Sequence, residues 1–261
     1  MSRPNLRTRL AEPAHPVVAT FVLLPRVEIV ESLTYAGFDG VVLDLEHGPI
    51  EPSDLPALVA AGHGAGGFVL ARLGDASPTT VGKVLDTGVD GIVVPHVGGA
   101  DDARNVANAG RFPPLGERSL NPYVRAAAYD AGPGFTSDAN DTVAILVMVE
   151  GRDGLANLDD ILQVPGIDAV FVGPVDLSAA LDRPGEPEHP EVVRAVEQIL
   201  RRVASRGLAG AVYCPTPEAA NRWLLCGARL VVVSADLAMA VSGFRRCLRG
   251  VTIHRRKDQA T

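Results

Sequence analysis

The hydrophobic pattern of the chain repeats one short phrase four times: a glycine, a short polar or small step, and then a run of β-branched apolar residues. The four copies are AGFDGVVLD (36–44), TGVDGIVVP (87–95), PGIDAVFVG (165–173) and CGARLVVVS (226–234). A helix that ends on a glycine and is followed at once by a buried strand gives this pattern. Apolar runs without polar alternation are typical of parallel strands that are covered on both faces.

Apolar runs occur eight times along the chain, and segments with helical periodicity lie between most of them. Strands are predicted at 17–24, 40–45, 68–72, 91–95, 143–149, 169–173, 209–213 and 229–233. Helices are predicted at Val27–Tyr35, Ser53–Gly62, Ser77–Thr87, Ala100–Ala109, Gly154–Leu162, Pro190–Arg206 and Thr216–Leu225. Eight strand–helix units in 261 residues indicate an α/β protein with the (β/α)8 (TIM) barrel fold. An open doubly wound sheet is the alternative, because strand order cannot be read from a sequence.

No break in composition divides the chain, so a single barrel domain is predicted over residues 1–261. Within it, residues 1–16 are expected to form an N-terminal arm and residues 251–261 a flexible tail. The stretch Arg111–Asp141 is rich in Pro, Gly and Asn and has no regular pattern. A long loop of this kind is expected to cover a functional site and to shape its pocket.

The composition is that of a globular protein with a large core, since 47% of the residues are hydrophobic and 21% are charged. A net charge of −7 argues against a nucleic-acid partner, which would require a basic face. The three cysteines, Cys214, Cys226 and Cys247, have the spacing of neither a disulfide framework nor a metal site. The N-terminus lacks the apolar core of a signal peptide, and no apolar run is long enough to cross a bilayer. A cytoplasmic protein without a membrane partner is therefore predicted.

Polar side chains follow the predicted strands at the points where the strands end. They are Asp44, Glu46 and His47 after the second strand, Arg72 at the end of the third, His96 after the fourth, Glu150 and Asp176 after the fifth and sixth, and Ser234 and Asp236 after the last. In a barrel the carboxyl ends of the strands share one rim, where catalytic groups lie. The sequence therefore predicts an active site at this rim.

Glu150 and Asp176 are the strongest candidates for a metal site. Each follows a buried apolar run, where a lone carboxylate would be costly to desolvate. Two carboxylates at the tips of neighbouring strands would repel each other unless a cation lay between them. An all-oxygen site with few protein ligands suits Mg²⁺, Mn²⁺ or a similar ion. The alternative is that both residues are helix N-caps, Asp176 for LSAAL and Glu150 for GRDGLANLDDIL.

His47 and Arg72 are the candidates for proton transfer and anion binding. Asp44 lies three residues before His47, and a carboxylate bonded to an imidazole fixes its tautomer and raises its basicity. A structural loop histidine is the alternative. Arg72 ends an apolar strand and would need an anion, either a substrate carboxylate gripped at two points or an acid of the rim.

Only two of the 24 basic residues are lysines, Lys83 and Lys257. Neither ends a strand, so a Schiff-base mechanism, which needs a lysine in the site, is close to excluded. The sequence also lacks the glycine-rich nucleotide-binding motifs and the GxSxG motif of many hydrolases.

Six features of the chain together resemble the HpcH/HpaI aldolase family. They are DLEHGP (44–49), Arg72 at a strand end, VDGIVVPHV (89–97), FPPLGERS (112–119), VMVE (147–150) and GPVDLS (173–178). The resemblance runs from about Val17 to Arg249, with the motifs in order. Members of this family are class II, metal-dependent pyruvate aldolases, including those for 4-hydroxy-2-oxoheptanedioate and for 2-keto-3-deoxy sugar acids. Their fold is a (β/α)8 barrel whose last helix is exchanged between subunits, commonly in a hexamer built as a trimer of dimers.

The resemblance implies a carbon–carbon lyase that cleaves or forms 4-hydroxy-2-oxoacids through a metal-bound pyruvate enolate and an aldehyde. It implies that Glu150 and Asp176 hold a divalent cation (Mg²⁺, Mn²⁺ or Co²⁺) and that His47, oriented by Asp44, handles protons. The groups implied to bind pyruvate or a related 2-oxoacid are Arg72, Met148 and the segment Gly173, Pro174, Val175 and Asp176.

Three positions depart from the common pattern of the family. Met148 stands where many members carry glutamine, so an amide hydrogen bond to substrate or water is missing there. Val175 replaces a common alanine and crowds the carboxylate pocket, and Ser119 stands where a glycine is usual. The positions implied for the metal and the base are intact.

Two other functions remain open at this point. The same enolate could serve decarboxylation, Michael-type addition or acyl-CoA cleavage, although the sequence offers no basic loop suited to an adenine nucleotide. A noncatalytic ligand-binding barrel is the second alternative. The complete set of Asp44, His47, Arg72, Glu150 and Asp176 argues against it, because a pure binder would not require both a base and a metal.

Overall fold

Eight parallel strands close into a barrel in the computed structural model, which describes residues 5–251. The strands are β1 (Val17–Val22), β2 (Gly40–Asp44), β3 (Phe68–Arg72), β4 (Gly91–Val94), β5 (Ala144–Val149), β6 (Ala169–Val172), β7 (Ala209–Cys214) and β8 (Leu230–Ala235). Each strand pairs in parallel with the next along the chain, and β8 pairs with β1. The predicted (β/α)8 barrel is confirmed, and the open doubly wound sheet is excluded.

Twelve α-helices and one short 3₁₀ helix (Arg125–Ala127) are present in the described part of the chain. The α-helices are α1 (Leu6–Ala11), α2 (Val27–Tyr35), α3 (Leu55–Gly64), α4 (Pro78–Asp86), α5 (Ala100–Gly110), α6 (Phe135–Thr142), α7 (Arg152–Ala156), α8 (Leu158–Ile161), α9 (Pro174–Ala180), α10 (Pro190–Ser205), α11 (Pro217–Leu225) and α12 (Asp236–Gly250). The predicted helix at 154–162 is divided at Asn157, whose amide donates a hydrogen bond to the Gly98 carbonyl at 2.8 Å. None of the helices in residues 5–251 is long and apolar enough to cross a membrane.

The repeated glycine phrase marks four turns that lead into strands. Its glycines, Gly37, Gly88, Gly166 and Gly227, have φ values of +108°, +84°, +92° and +92°. A side chain is disfavoured at such values, so glycine suits these turns. Three of the glycines directly follow a helix C-cap, whereas Gly166 lies five residues after the end of α8.

An aspartate follows the glycine in three of these turns and ties neighbouring strands together. Asp39 accepts a hydrogen bond from the Val18 amide at 2.8 Å, and Asp168 accepts one from the Ile145 amide at 2.7 Å. Asp90 does the same for the amide at the second residue of β3, at 2.7 Å. The phrase therefore supplies both the turn and a polar partner for the start of the adjacent strand.

The expected N-terminal arm contains helix α1, which lies at the amino-terminal end of the barrel. Leu6 and Leu10 are buried and pack with the residues that fill the barrel interior, including Phe68. Asn5 begins the helix by accepting a hydrogen bond from the Thr8 amide at 2.8 Å. Most of the expected flexible tail, residues 252–261, lies outside the described residues.

The Pro- and Gly-rich stretch 111–141 lies away from the rim, which corrects the expectation that it covers the site. It leaves α5 and returns to β5, so it connects elements at the amino-terminal end of the barrel. Its buried Arg111 donates to the carbonyls of Asn140 at 3.0 Å and Val143 at 2.8 Å, and pairs with Asp168 just before β6. Because the strands are parallel, these contacts place the loop opposite the carboxyl ends within one subunit.

Candidate functional site

Arg72 and Asp44 form the centre of a polar cluster at the carboxyl ends of β2 and β3. The two residues are paired in the sheet register, and the guanidinium contacts the carboxylate at two points, Nε to Oδ1 at 3.0 Å and Nη2 to Oδ2 at 2.6 Å. A third contact joins Nη1 to Glu46 Oε2 at 3.2 Å, and the guanidinium lies 4.5 Å from the Phe21 ring centre. The alternative that Arg72 pairs with an acid of the rim therefore holds.

The Arg72 cation is stabilised although it is buried. Burial by itself would lower the pKa of Arg72, but the hydrogen bond and charge of Asp44, with the charges of Glu46 and Glu150, outweigh it and raise that pKa. The two hydrogen bonds to Asp44 use Nε and one hydrogen on Nη2, and Nη1 forms an ion pair with Glu46. Each terminal nitrogen therefore keeps a second hydrogen that can be donated to a bound anion.

Asp44 makes no hydrogen bond or ion pair with the His47 ring, so the expected carboxylate–imidazole pair is not formed in this structure. Asp44 Oδ1 instead accepts hydrogen bonds from the backbone amides of Glu46 at 3.1 Å and His47 at 3.2 Å. It thereby holds the turn that carries His47. The His47 ring is 65% exposed, and its Nε2 atom lies 3.8 Å from Glu46 Oε2.

Glu46 and His96 connect the arginine cluster to Glu150. His96 Nε2 lies 2.9 Å from Glu46 Oε1, and His96 Nδ1 lies 3.2 Å from Glu150 Oε1. The His96 backbone amide also donates to Glu150 Oε1 at 3.0 Å, from a residue with φ of +57°. The sequence placed Glu46 and His96 on the rim but assigned them no role, because a linear pattern does not show which rim residues bridge two others.

Glu150 is a buried carboxylate close to the start of α9. Burial raises the pKa of Glu150, the hydrogen bond from His96 lowers it, and the negative charge of Asp176 raises it further. Gly173 permits a close approach of the chain, because a Cβ atom built there would lie 2.9 Å from Glu150 Oε2.

The donor set at Glu150 and Asp176 fits a hard divalent cation with few protein ligands. Neither carboxylate is a helix cap, since the N-cap residues of α7 and α9 are Gly151 and Gly173 and no side chain caps either helix. Two adjacent carboxylates repel each other, and an added cation would relieve this repulsion. Residues 5–251 contain no group of three or more His, Cys, Asp or Glu arranged for a metal. Such an ion would therefore complete its coordination with water and substrate oxygens, as Mg²⁺ commonly does.

One cavity of about 350 Å³ brings most of the predicted site residues together. Its lining consists of Phe21, Leu23, Asp44, His47, Arg72, Met148, Phe171, Gly173, Val175, Asp176, Tyr213 and Ala235. The aromatic residues Phe21, Phe171 and Tyr213 were not predicted as site residues. They lie at inward-facing positions of β1, β6 and β7, and only the barrel register shows that these positions meet at the rim.

Asp236 has a structural role at the rim. Its carboxylate accepts hydrogen bonds from the backbone amides of Leu23 at 3.2 Å, Leu24 at 3.0 Å and Leu237 at 2.7 Å. It therefore ties the loop after β1 to the start of α12. Ser234, the other predicted rim residue of β8, has φ of +59° beside an irregularity in the β1–β8 register.

A closed parallel barrel with an acid–arginine–histidine cluster at the carboxyl ends of its strands is the architecture of a barrel enzyme. The chain belongs to the HpcH/HpaI aldolase/citrate lyase family, whose profile matches residues 18–242.

Two sequence relatives of the chain are named as aldolases. It is 33% identical to the 2-dehydro-3,6-dideoxy-6-sulfogluconate aldolase of Pseudomonas putida over 86% of this chain and 88% of that protein. It is 39% identical to the 2-keto-3-deoxy-L-rhamnonate aldolase of Shigella sonnei over 77% of this chain and 76% of that protein. A crystal structure of a family member from Burkholderia cenocepacia superposes with a TM-score of 0.89 at 31% identity, covering 94% of this chain and 97% of that one. The protein is thus an enzyme of the lyase class, an aldolase.

Proposed function

We propose that this aldolase cleaves 4-hydroxy-2-oxoacids reversibly into pyruvate, or a related 2-oxoacid, and an aldehyde. The observation that carries the proposal is the meeting of Arg72, His47 and Asp176 around one cavity, with Glu150 beside it. This set combines a guanidinium that can bind an anion, a solvent-accessible imidazole and two adjacent carboxylates. A reaction that develops negative charge on an oxygen next to a carboxylate needs these groups.

Substrate binding is assigned to Arg72 and to the backbone around Gly173–Asp176. The terminal nitrogens of Arg72 have hydrogens left to donate, and they would suit a ligand with acceptor oxygens such as a 2-oxoacid. Met148 and Val175 line the cavity with apolar surface and would contact the three-carbon unit. The pair Asp44 and Glu46 holds the guanidinium in place, so little side-chain entropy is lost on binding.

Glu150 and Asp176 would hold a divalent cation, Mg²⁺, Mn²⁺ or Co²⁺. When bound, such a cation supplies Lewis-acid stabilisation of the enolate oxygen that forms during cleavage. The buried position of Glu150 keeps this charge interaction in a medium of low dielectric, where it is strongest.

His47 is assigned the proton transfer. In the cleavage direction it takes the proton of the C4 hydroxyl, and the oxygen electron pair forms the aldehyde carbonyl as the C3–C4 bond breaks. The electrons of that bond form the C2–C3 double bond of the enolate, and a proton delivered to C3 completes pyruvate. Asp44 acts through the backbone of the turn, since its bond to the His47 amide fixes where the imidazole stands.

Formation of the pyruvate enolate can be tested without an aldehyde. Pyruvate in D₂O with Mn²⁺ or Mg²⁺ is expected to lose its methyl proton signal in the presence of the protein, because enolate formation exchanges C3 hydrogens. EDTA is expected to stop the exchange. Proton NMR measures both rates, and a methyl signal that stays intact with every divalent metal would contradict the proposal.

A histidine substitution tests the base in an assay of aldol cleavage, followed by the release of pyruvate. His47→Ala should slow aldol cleavage about 10²–10⁴-fold, the usual contribution of a general base. The matched control is His15→Ala, because His15 is similarly exposed but precedes β1 at the opposite end of the barrel. A His47→Ala protein that cleaves at the wild-type rate would remove His47 from the base role.

A homo-oligomer is part of the proposal, with α12 exchanged between subunits and a hexamer built as a trimer of dimers. Helix α12 exposes an apolar stripe, Leu237, Val241, Phe244 and Leu248, at helical spacing, with Phe244 70% exposed. Sedimentation is expected to give a mass well above 27.3 kDa, and Phe244→Asp is expected to lower it. A monomeric wild-type protein would contradict this assembly.

A further inference from the structure

An aromatic wall closes one side of the cavity. The Phe21 ring centre lies 6.3 Å from that of Phe171 and 5.9 Å from that of Tyr213. These three rings come from β1, β6 and β7, and Leu23 and Ala235 extend the same apolar surface. In the closed order β7 lies four strands from β3, and the Phe21 ring, which neighbours Tyr213, also lies 4.5 Å from the Arg72 guanidinium.

Tyr213 places one polar group in this apolar wall. Its side chain is half-buried and lines the cavity, and its hydroxyl makes no hydrogen bond within residues 5–251. Burial raises the pKa of Tyr213 more than the nearby Arg72 charge lowers it, so the phenol stays protonated. It can therefore donate one hydrogen bond and accept another without carrying charge.

Binding of the 2-oxoacid and formation of its enolate, as proposed above, do not use Tyr213. Arg72 is held by Asp44 and Glu46 and faces the 2-oxoacid, while the two carboxylates near Gly173 are assigned to the cation. The remaining wall of the cavity is apolar apart from the phenol. A polar group in such a wall has to be satisfied by the second substrate when water is displaced.

We propose that Tyr213 determines the specificity for the aldehyde, by hydrogen bonding to a hydroxyl group on the carbon next to the aldehyde carbonyl. The inference rests on the proposed function and names its substrate class, the 2-hydroxyaldehydes. An aldehyde without that hydroxyl displaces water from the phenol and leaves it unpaired. Sites built to bind a substrate hydroxyl discriminate strongly against analogues that lack it.

Two aldehydes of equal carbon number test this selectivity. Condensation of pyruvate with 2-hydroxypropanal and with propanal is measured by the loss of each aldehyde, for the wild type and for Tyr213→Phe. In the wild type, kcat/KM is expected to favour 2-hydroxypropanal by about tenfold or more. Tyr213→Phe is expected to reduce this preference about tenfold, while kcat/KM for propanal changes less than about threefold.

The control variant is Tyr35→Phe, which removes the same hydroxyl from an exposed tyrosine on α2 and should leave the ratio unchanged. The pyruvate methyl exchange is measured for every variant without aldehyde. Suppose that Tyr213→Phe exchanges the pyruvate methyl protons at the wild-type rate but keeps the wild-type ratio of kcat/KM for the two aldehydes, or lowers kcat/KM equally for both. The role of Tyr213 is then overturned and the proposed function stands. If the wild type does not exchange at all, the proposed function fails and the inference falls with it.

Discussion

Replacing Arg72 with lysine is expected to lower kcat/KM for aldol cleavage by about 10²–10³-fold. The guanidinium makes two hydrogen bonds to Asp44 and a further contact with Glu46 while it faces the cavity. A lysine ammonium at the same place cannot bridge both carboxylates and also bind a ligand in a planar fork. Each lost hydrogen bond between charged groups is worth about 1.5–3 kcal/mol, and 1.4 kcal/mol corresponds to a factor of ten.

The same substitution should also destabilise the protein, because it leaves the buried Asp44 carboxylate poorly paired. We expect the free energy of unfolding to fall by about 1–3 kcal/mol in urea titrations. Arg152→Lys is the matched control, since Arg152 forms an exposed ion pair with Asp182 and should change neither quantity. An Arg72→Lys protein with wild-type kcat/KM would show that the fork geometry is not used by the substrate.

Replacing Glu150 with glutamine is expected to reduce activity about 10³-fold or more and to stabilise the metal-free protein. The substitution removes one of the two carboxylates assigned to the cation, whose contribution to charge stabilisation is several kcal/mol. Burial and the charge of Asp176 both raise the pKa of Glu150, so the ionised side chain opposes folding. A neutral carboxamide of the same shape avoids the cost of burying a charge and can still accept a hydrogen bond from the His96 backbone amide.

Thermal unfolding in EDTA and aldol cleavage with added Mn²⁺ measure the two effects of Glu150→Gln. A higher Tm together with lost activity identifies a site that gives up stability for function. Glu28→Gln, at an exposed position of α2, is the control and should alter neither. Full activity of Glu150→Gln with Mn²⁺ would contradict the assignment of Glu150 as a ligand.

The barrel could be predicted because its signals are local. Glycines at positive φ, such as Gly37 and Gly88, end helices, and apolar runs without alternation follow them directly. Backbone sterics and burial on both faces produce this pattern within about ten residues of chain, so no knowledge of distant contacts is needed.

The sequence predicted which residues lie at the rim but not which of them contact each other. Asp44 and His47 lie three residues apart, which suggested a carboxylate–imidazole pair. The structure instead pairs Asp44 with Arg72 from the next strand, because strand register sets these two side chains side by side. The position of the 111–141 loop could not be predicted either, because its composition indicates irregular backbone but not the end of the barrel at which that backbone lies.

Local patterns in the chain were enough to predict eight strand–helix units, the end of the strands that carries the polar residues and the chemical types available there. Periodicity and turn chemistry act over short stretches, and the strand ends bring their own side chains to one rim. Two features depend on the folded barrel: Glu46 and His96 link Arg72 to Glu150, and Phe21, Phe171 and Tyr213 form one wall of the cavity. These contacts join residues from separate strands, and barrel closure and register fix their distances.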